Sequence, residues 1–136
     1  MNVIAHDIAP RKGAAEALGF RYVEFSSLLA EADVVSFHLP ATPDTKDMFG
    51  DAQFALMKKR AVLINTARGN IIQIDALVRA ITTGRIRAAG LDVFPQEPLI
   101  QDEAEIFRGP AVEADALKAL LAYHVLVNAP NVLITP

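Results

Sequence analysis

The stretch from 61 to 94 most constrains what this chain can fold into. AVLINT (61–66) is a short, continuous apolar run of the kind buried in a sheet. QIDALVRAITTG (73–84) follows, with Ile74, Leu77, Val78 and Ile81 at helical spacing and Gly84 as a stop. IRAAGLDVF (86–94) is again strand-like. A strand, a helix and a strand in so few residues form a parallel crossover unit.

The same alternation runs along the whole chain. Strands are expected at NVIAH (2–6), RYVEF (21–25), DVVSFHL (33–39) and NVLIT (131–135). Helices are expected at PRKGAAEALG (10–19), where Pro10 suits the start and Gly19 the end, and at EADALKALLAYH (113–124). Two shorter helices are expected, SSLLAEA (26–32) capped by Ser26 or Ser27 and DAQFALM (51–57) capped by Asp51. PATPDT (40–45) reads as a loop. This pattern predicts an α/β fold with a doubly wound parallel sheet.

Composition narrows the function. The chain has 136 residues, 52% hydrophobic and 21% charged, which is a globular balance and one domain's length. Thirteen Lys plus Arg against sixteen Asp plus Glu give a net charge of -3, which argues against a nucleic-acid partner. No apolar run approaches the roughly 18 residues of a membrane span, and MNVIAHD does not read as a signal peptide. With no cysteine, thiolate metal sites and disulfides are excluded, and a cytoplasmic setting is the default expectation. No spacing among His6, His38 and His124 suggests a metal site. His38 reads as a loop or backbone-bonded histidine, and His124 as a cation placed at a helix C-terminus.

In open α/β sheets ligands bind at the C-terminal ends of the strands, so the residues there carry the candidate chemistry. Asp7 follows the first strand and is either a turn residue or an acid that accepts ribose hydroxyls. None of the seven glycines builds the G-x-G-x-x-G phosphate loop that should precede such an acid. In INTARGN (64–70), Arg68 is either a substrate-carboxylate clamp or a solvated turn arginine beside a glycine at positive φ. Asp92, read as lying inside an apolar strand, needs a partner, either a ligand amide or a neighbouring loop. Glu97, between Pro95 and Pro98, either raises the pKa of an imidazole or is a loop glutamate in water.

Together, HDIAP (6–10), DVVSFHLPATPDTKDMFG (33–50), the block from Met57 to Pro98 and PNVLITP (130–136) resemble the NAD-dependent D-2-hydroxyacid dehydrogenases. The resemblance is to their nucleotide-binding domain, over essentially the whole chain. It implies a Rossmann-like doubly wound parallel sheet over 1–136, lacking the first strand, phosphate loop and helix unit, and without the separate substrate domain. The missing strand would lie mid-sheet, between NVIAH and DVVSF.

Residue by residue, the resemblance makes Asp7 the ribose acid, favouring NAD over NADP, although Arg11 lies near. It makes Leu39 and Pro40 cofactor-lining, and sets Thr66, Ala67 and Arg68 along the nicotinamide ribose. Arg68 becomes the substrate-binding arginine as well, Asp92 orients the nicotinamide carboxamide, and Glu97 pairs with a catalytic histidine. That histidine would be the residue after Pro136. The implied cofactor is NAD, with no metal. The implied substrate is a small 2-keto or 2-hydroxy acid, and the complete enzyme is implied to be a homodimer. The long connection 99–129 is more like the D-lactate dehydrogenase branch, whereas TKDMFG (45–50) is reminiscent of the phosphoglycerate enzymes. The expectation is an enzyme fragment that is inactive alone. The alternative is a non-catalytic relative serving as a nucleotide-binding or oligomerisation module.

Overall fold

The computed structural model describes residues 1–11, 13–95 and 114–135. Among these residues six strands alternate with five helices: β1 (Ile4–Ala5), α1 (Ala14–Leu18), β2 (Arg21–Tyr22), α2 (Phe25–Glu31), β3 (Val34–Phe37), α3 (Asp51–Leu56), β4 (Val62–Asn65), α4 (Ile74–Thr82), β5 (Ala88–Leu91), α5 (Ala114–Val127) and β6 (Val132–Ile134). A single 3-10 turn, Gly69–Ile71, stands between β4 and α4. All strand pairs are parallel, as the crossover pattern requires.

The strands form two sheets. β1 pairs only with β2, and the other four run in the order β3-β4-β5-β6. The break falls between the NVIAH and DVVSF segments, where the resemblance sets the missing strand. β3 is therefore an edge, and its burial alternates: Val35 and Phe37 face the core while Val34 and Ser36 are exposed. Aromatic rings link the two parts. His6, just past β1, meets Phe25 at 5.5 Å, Phe25 meets Phe49 at 6.4 Å, and Phe49 meets Phe37 at 5.0 Å.

Phe49 is fully buried and also packs edge-on against Phe54 at 4.9 Å. Truncating such a ring to alanine typically costs about 3–5 kcal/mol. The core continues under α4, whose buried residues are Ala76, Leu77, Ala80 and Ile81, with Ile74 and Val78 half-buried beside them. Helix ends are held by side chains. Arg85 Nη2 donates to the carbonyls of Ala55 and Met57, which α3 leaves without intrahelical partners. Arg79 on α4 pairs with Asp51 on α3 at 2.6 Å and with Asp75 one turn back at 3.0 Å. The hydrogen bond from Arg79 holds the Asp75 carboxyl below its ordinary pKa, and Asp51 and Asp75 together raise that of Arg79.

Several expected boundaries shift. The serines of SSLLAEA lie inside α2, because Phe25 already belongs to the helix and Glu24 is its N-cap. Asp51 is the first residue of α3 rather than its cap. Gly50 takes that place, its N–H donating to Gln53 Oε1 at 3.0 Å. Asp51 instead serves the helix dipole and Arg79. The expected strand RYVEF stops at Tyr22, and the helix expected at 113–124 runs on to Val127.

Candidate functional site at the strand tips

Parallel strands end on one edge, so the tips of β3, β4, β5 and β6 present Phe37, Asn65, Leu91 and Ile134 side by side. The ladder closes one residue further. Asp92 N–H donates to Asn65 O at 2.9 Å, and Thr135 N–H donates to Leu91 O at 3.0 Å. Leu39, Pro40, Thr66 to Arg68 and Asp92, which the sequence singled out, follow just beyond these tips.

The loop after β4 is built around Asn65, the sole buried polar residue among those described, at 1% exposure. Its side-chain Oδ1 accepts from Ala67 N–H at 3.1 Å, and its Nδ2 donates to Arg68 O at 3.0 Å. One amide thus folds the chain back, burying Ala67 and leaving Thr66 and Arg68 exposed. Arg68 Nη1 donates to Ala67 O at 2.6 Å, which uses one of five guanidinium N–H groups and leaves the rest for a ligand.

Gly69 is not the positive-φ residue that the sequence suggested, since positive φ among the glycines falls at Gly13, Gly19 and Gly84. Its demand is space. A Cβ there would lie 2.1 Å from Phe94 C and 2.4 Å from Pro95 N. The Arg68 loop is therefore pressed against the backbone leading out of β5. Asp92 lies just past β5, not inside it, and is exposed. Burial therefore does not demand a partner for it, yet it has one: its Oδ1 accepts from the exposed Thr135 hydroxyl.

Leu39 is half-buried against the core, and Pro40 is exposed with its carbonyl accepting from Thr45 Oγ1 at 2.8 Å. Asp7 is exposed, and its Oδ1 accepts from Ala9 N–H at 2.8 Å, so the turn role is real. Its Oδ2 has no hydrogen-bond partner among the described residues. The strand tips thus bring Arg68, Asp92 and Thr135 together, with Leu39 and Pro40 past the adjacent β3. Asp7 stands apart on the β1–β2 sheet. Glu97 and Pro98 lie outside the described residues.

His6 Nδ1 bonds the Val23 carbonyl at 3.1 Å. His38 Nε2 bonds Ser36 Oγ at 3.0 Å, a side-chain rather than a backbone partner. His124 sits in the last turn of α5 against the Tyr123 ring. Among the described residues no His, Asp or Glu group is arranged to hold a metal, and no helix is long and apolar enough to cross a membrane. Two surface hollows of about 190 and 250 Å³ are lined by none of the candidate residues.

Asn65, Gly69 and Thr135 are the residues to which the sequence assigned no role in the site, although the first two lie within INTARGN (64–70), a stretch it marked for a ligand. An asparagine ending an otherwise apolar strand was a usable signal for the first. Nothing local marked the other two, because both act on residues far along the chain.

The donor and acceptor set suits a nicotinamide dinucleotide at its two ends. Asp7 and Asp92 are acceptor-only carboxylates, matched to ribose hydroxyls and to a carboxamide NH₂. The diphosphate is different, because the sequence contains no glycine-rich loop to hold it.

Comparison with known proteins shows the family. The family model for the NAD binding domain of D-isomer specific 2-hydroxyacid dehydrogenases matches residues 1–136. A glyoxylate reductase of Thermococcus litoralis is 42% identical over 103 residues, 76% of this chain and 31% of the relative. The chloroplastic D-3-phosphoglycerate dehydrogenase 2 of Arabidopsis thaliana is 43% identical, over 97% of this chain and 25% of its own length. Among solved structures, D-lactate dehydrogenase of Aquifex aeolicus, complexed with NAD and lactic acid, superposes with a TM-score of 0.84. It is 35% identical, and the match covers 100% of this chain and 39% of that one. The chain thus spans between about a quarter and two-fifths of these relatives. On fold and sequence alike, it belongs to the D-isomer specific 2-hydroxyacid dehydrogenases and carries their NAD-binding domain.

Proposed function

We propose that these residues form the cofactor-side wall of an oxidoreductase that interconverts a D-2-hydroxy acid and its 2-keto acid. The observation that carries this reading is the bonded seam between two strand tips. Asn65 O takes the N–H of Asp92, while the Asn65 side chain fixes the loop that presents Arg68. Arg68, read as the substrate cation, and Asp92, read as the cofactor acceptor, thus follow the tips of neighbouring strands.

The bound dinucleotide supplies the hydride. The chain's own residues do the rest of what is assigned here. Arg68 grips the substrate carboxylate and stabilises charge building on the carbonyl oxygen. Asp92 accepts from the carboxamide and fixes which face of the ring is presented. Asp7 accepts ribose hydroxyls through its free Oδ2. Thr66, Ala67, Leu39 and Pro40 flank the cofactor. Glu97 holds up the pKa of the imidazole that donates the proton.

We further propose that the 136 residues alone do not turn over substrate. The phosphate loop is absent from the sequence, and the rings of His6 and His38 are bonded to Val23 and Ser36. A homodimer is proposed for the complete enzyme, supported by an apolar stripe on α5 formed by Leu117, Leu121 and Val125, 39%, 58% and 42% exposed.

The test follows NADH oxidation with pyruvate and with glyoxylate. The purified chain is expected to show none. A version completed with a glycine-rich strand–loop–helix unit, a substrate domain and a general-acid histidine is expected to be active. In that version Arg68→Met should lower kcat/KM by about 10²–10³-fold, the loss of a charge-assisted bidentate grip. Turnover by the bare chain, or an unaffected Arg68→Met enzyme, would refute the reading.

A further inference from the structure

An exposed aspartate just past the end of a strand ladder has little to hold its side chain. Asp92 is such a residue, yet it is tied on both sides. On the β4 side its N–H donates to Asn65 O at 2.9 Å. On the β6 side its Oδ1 accepts the Thr135 hydroxyl. Thr135 is itself anchored, its N–H donating to Leu91 O at 3.0 Å, the residue immediately before Asp92. Its β-branch restricts χ1, so the hydroxyl is aimed before any ligand arrives.

We propose that Thr135 is the positioning residue for Asp92, occupying Oδ1 so that Oδ2 alone is turned toward the cofactor. This rests on the reading of Asp92 as the acceptor for the nicotinamide carboxamide. A carboxylate accepts only, so with one oxygen occupied by a hydroxyl the other takes an N–H donor in a single orientation. A freely rotating Asp92 would present either oxygen over a wide arc. Thr135 is exposed, so the contact adds little to folding and its removal leaves the fold standing. Its service is to geometry.

The experiment uses the full 136-residue chain, labelled for NMR, as wild type, Thr135→Ser and Thr135→Val. Three-bond couplings to the Asp92 β-protons report its χ1. One rotamer is expected in the wild type and in Thr135→Ser, and averaged couplings in Thr135→Val with the amide spectrum elsewhere unchanged. NADH and ADP-ribose, which lacks nicotinamide, are then titrated. Thr135→Val should weaken NADH by about three- to tenfold, leave ADP-ribose unchanged, and be rescued by serine. A single Asp92 rotamer in Thr135→Val, or no rescue by serine, overturns the proposal. So does an unchanged NADH affinity in Thr135→Val when Asp92→Ala weakens it. If Asp92→Ala leaves the NADH affinity intact, the cofactor reading of Asp92 fails and the assignment of Oδ2 falls with it. The couplings still decide whether Thr135 holds the side chain.

Discussion

Gly69 shows how a single residue carries the site without touching a ligand. The Phe94 and Pro95 backbone occupies the space where any side chain would begin, so the Arg68 loop closes on the β5 exit only with glycine. Gly69→Ala must push backbone apart and is expected to destabilise the chain by about 2–4 kcal/mol. Gly84 needs its positive φ of 67° but has open space around it, so Gly84→Ala should cost only about 1–2 kcal/mol of backbone strain. Urea unfolding midpoints of the two variants check this ordering, and a milder effect at Gly69 would contradict it. At this scale the charged residues were legible and their supports were not. Arg68 and Asp92 stand out because charge near an apolar strand needs explaining. Gly69 and Thr135 are ordinary letters whose meaning depends on Phe94 and Asp92, each more than 20 positions away.

At the scale of elements, the type of the described strands and helices followed from apolar runs, helical spacing and capping or stop residues, while the ends did not. RYVEF has strand composition throughout, but Phe25 starts α2 because its ring is needed against His6 and Phe49. Tertiary packing thus decided a boundary that propensity left open. The same tension marks α5. Its sequence ADALKALLAYHVLV is apolar nearly all round, and a helix of that kind is normally covered on both sides. Leu126 is fully buried on one side, while Leu117, Leu121 and Val125 are exposed at i, i+4 and i+8. A second copy of the chain is the occupant proposed for that stripe. Sedimentation equilibrium should show dimers that Leu121→Glu shifts toward monomer by at least about tenfold in dissociation constant, from a buried unpaired carboxylate. A dimer indifferent to Leu121→Glu would place the contact elsewhere.

For the whole molecule, the alternation of elements predicted a parallel α/β sheet, and the family resemblance located its interruption. β1 with β2 and β3 to β6 form separate sheets joined through ring contacts, and that arrangement was not readable from periodicity alone. Glu97 was legible as a candidate but lies outside the described residues. The strand tips are proposed to be one cofactor edge. The most direct measurement is a titration of the labelled 136-residue chain with NADH, followed by amide chemical shifts. Shifts are expected at Asp7, Leu39, Thr66 to Arg68, Asp92 and Thr135, with Lys58, Gly84 and Arg87 at the opposite ends of the strands unmoved. Shifts confined to those opposite ends, or none at any tip at millimolar NADH, would contradict the account.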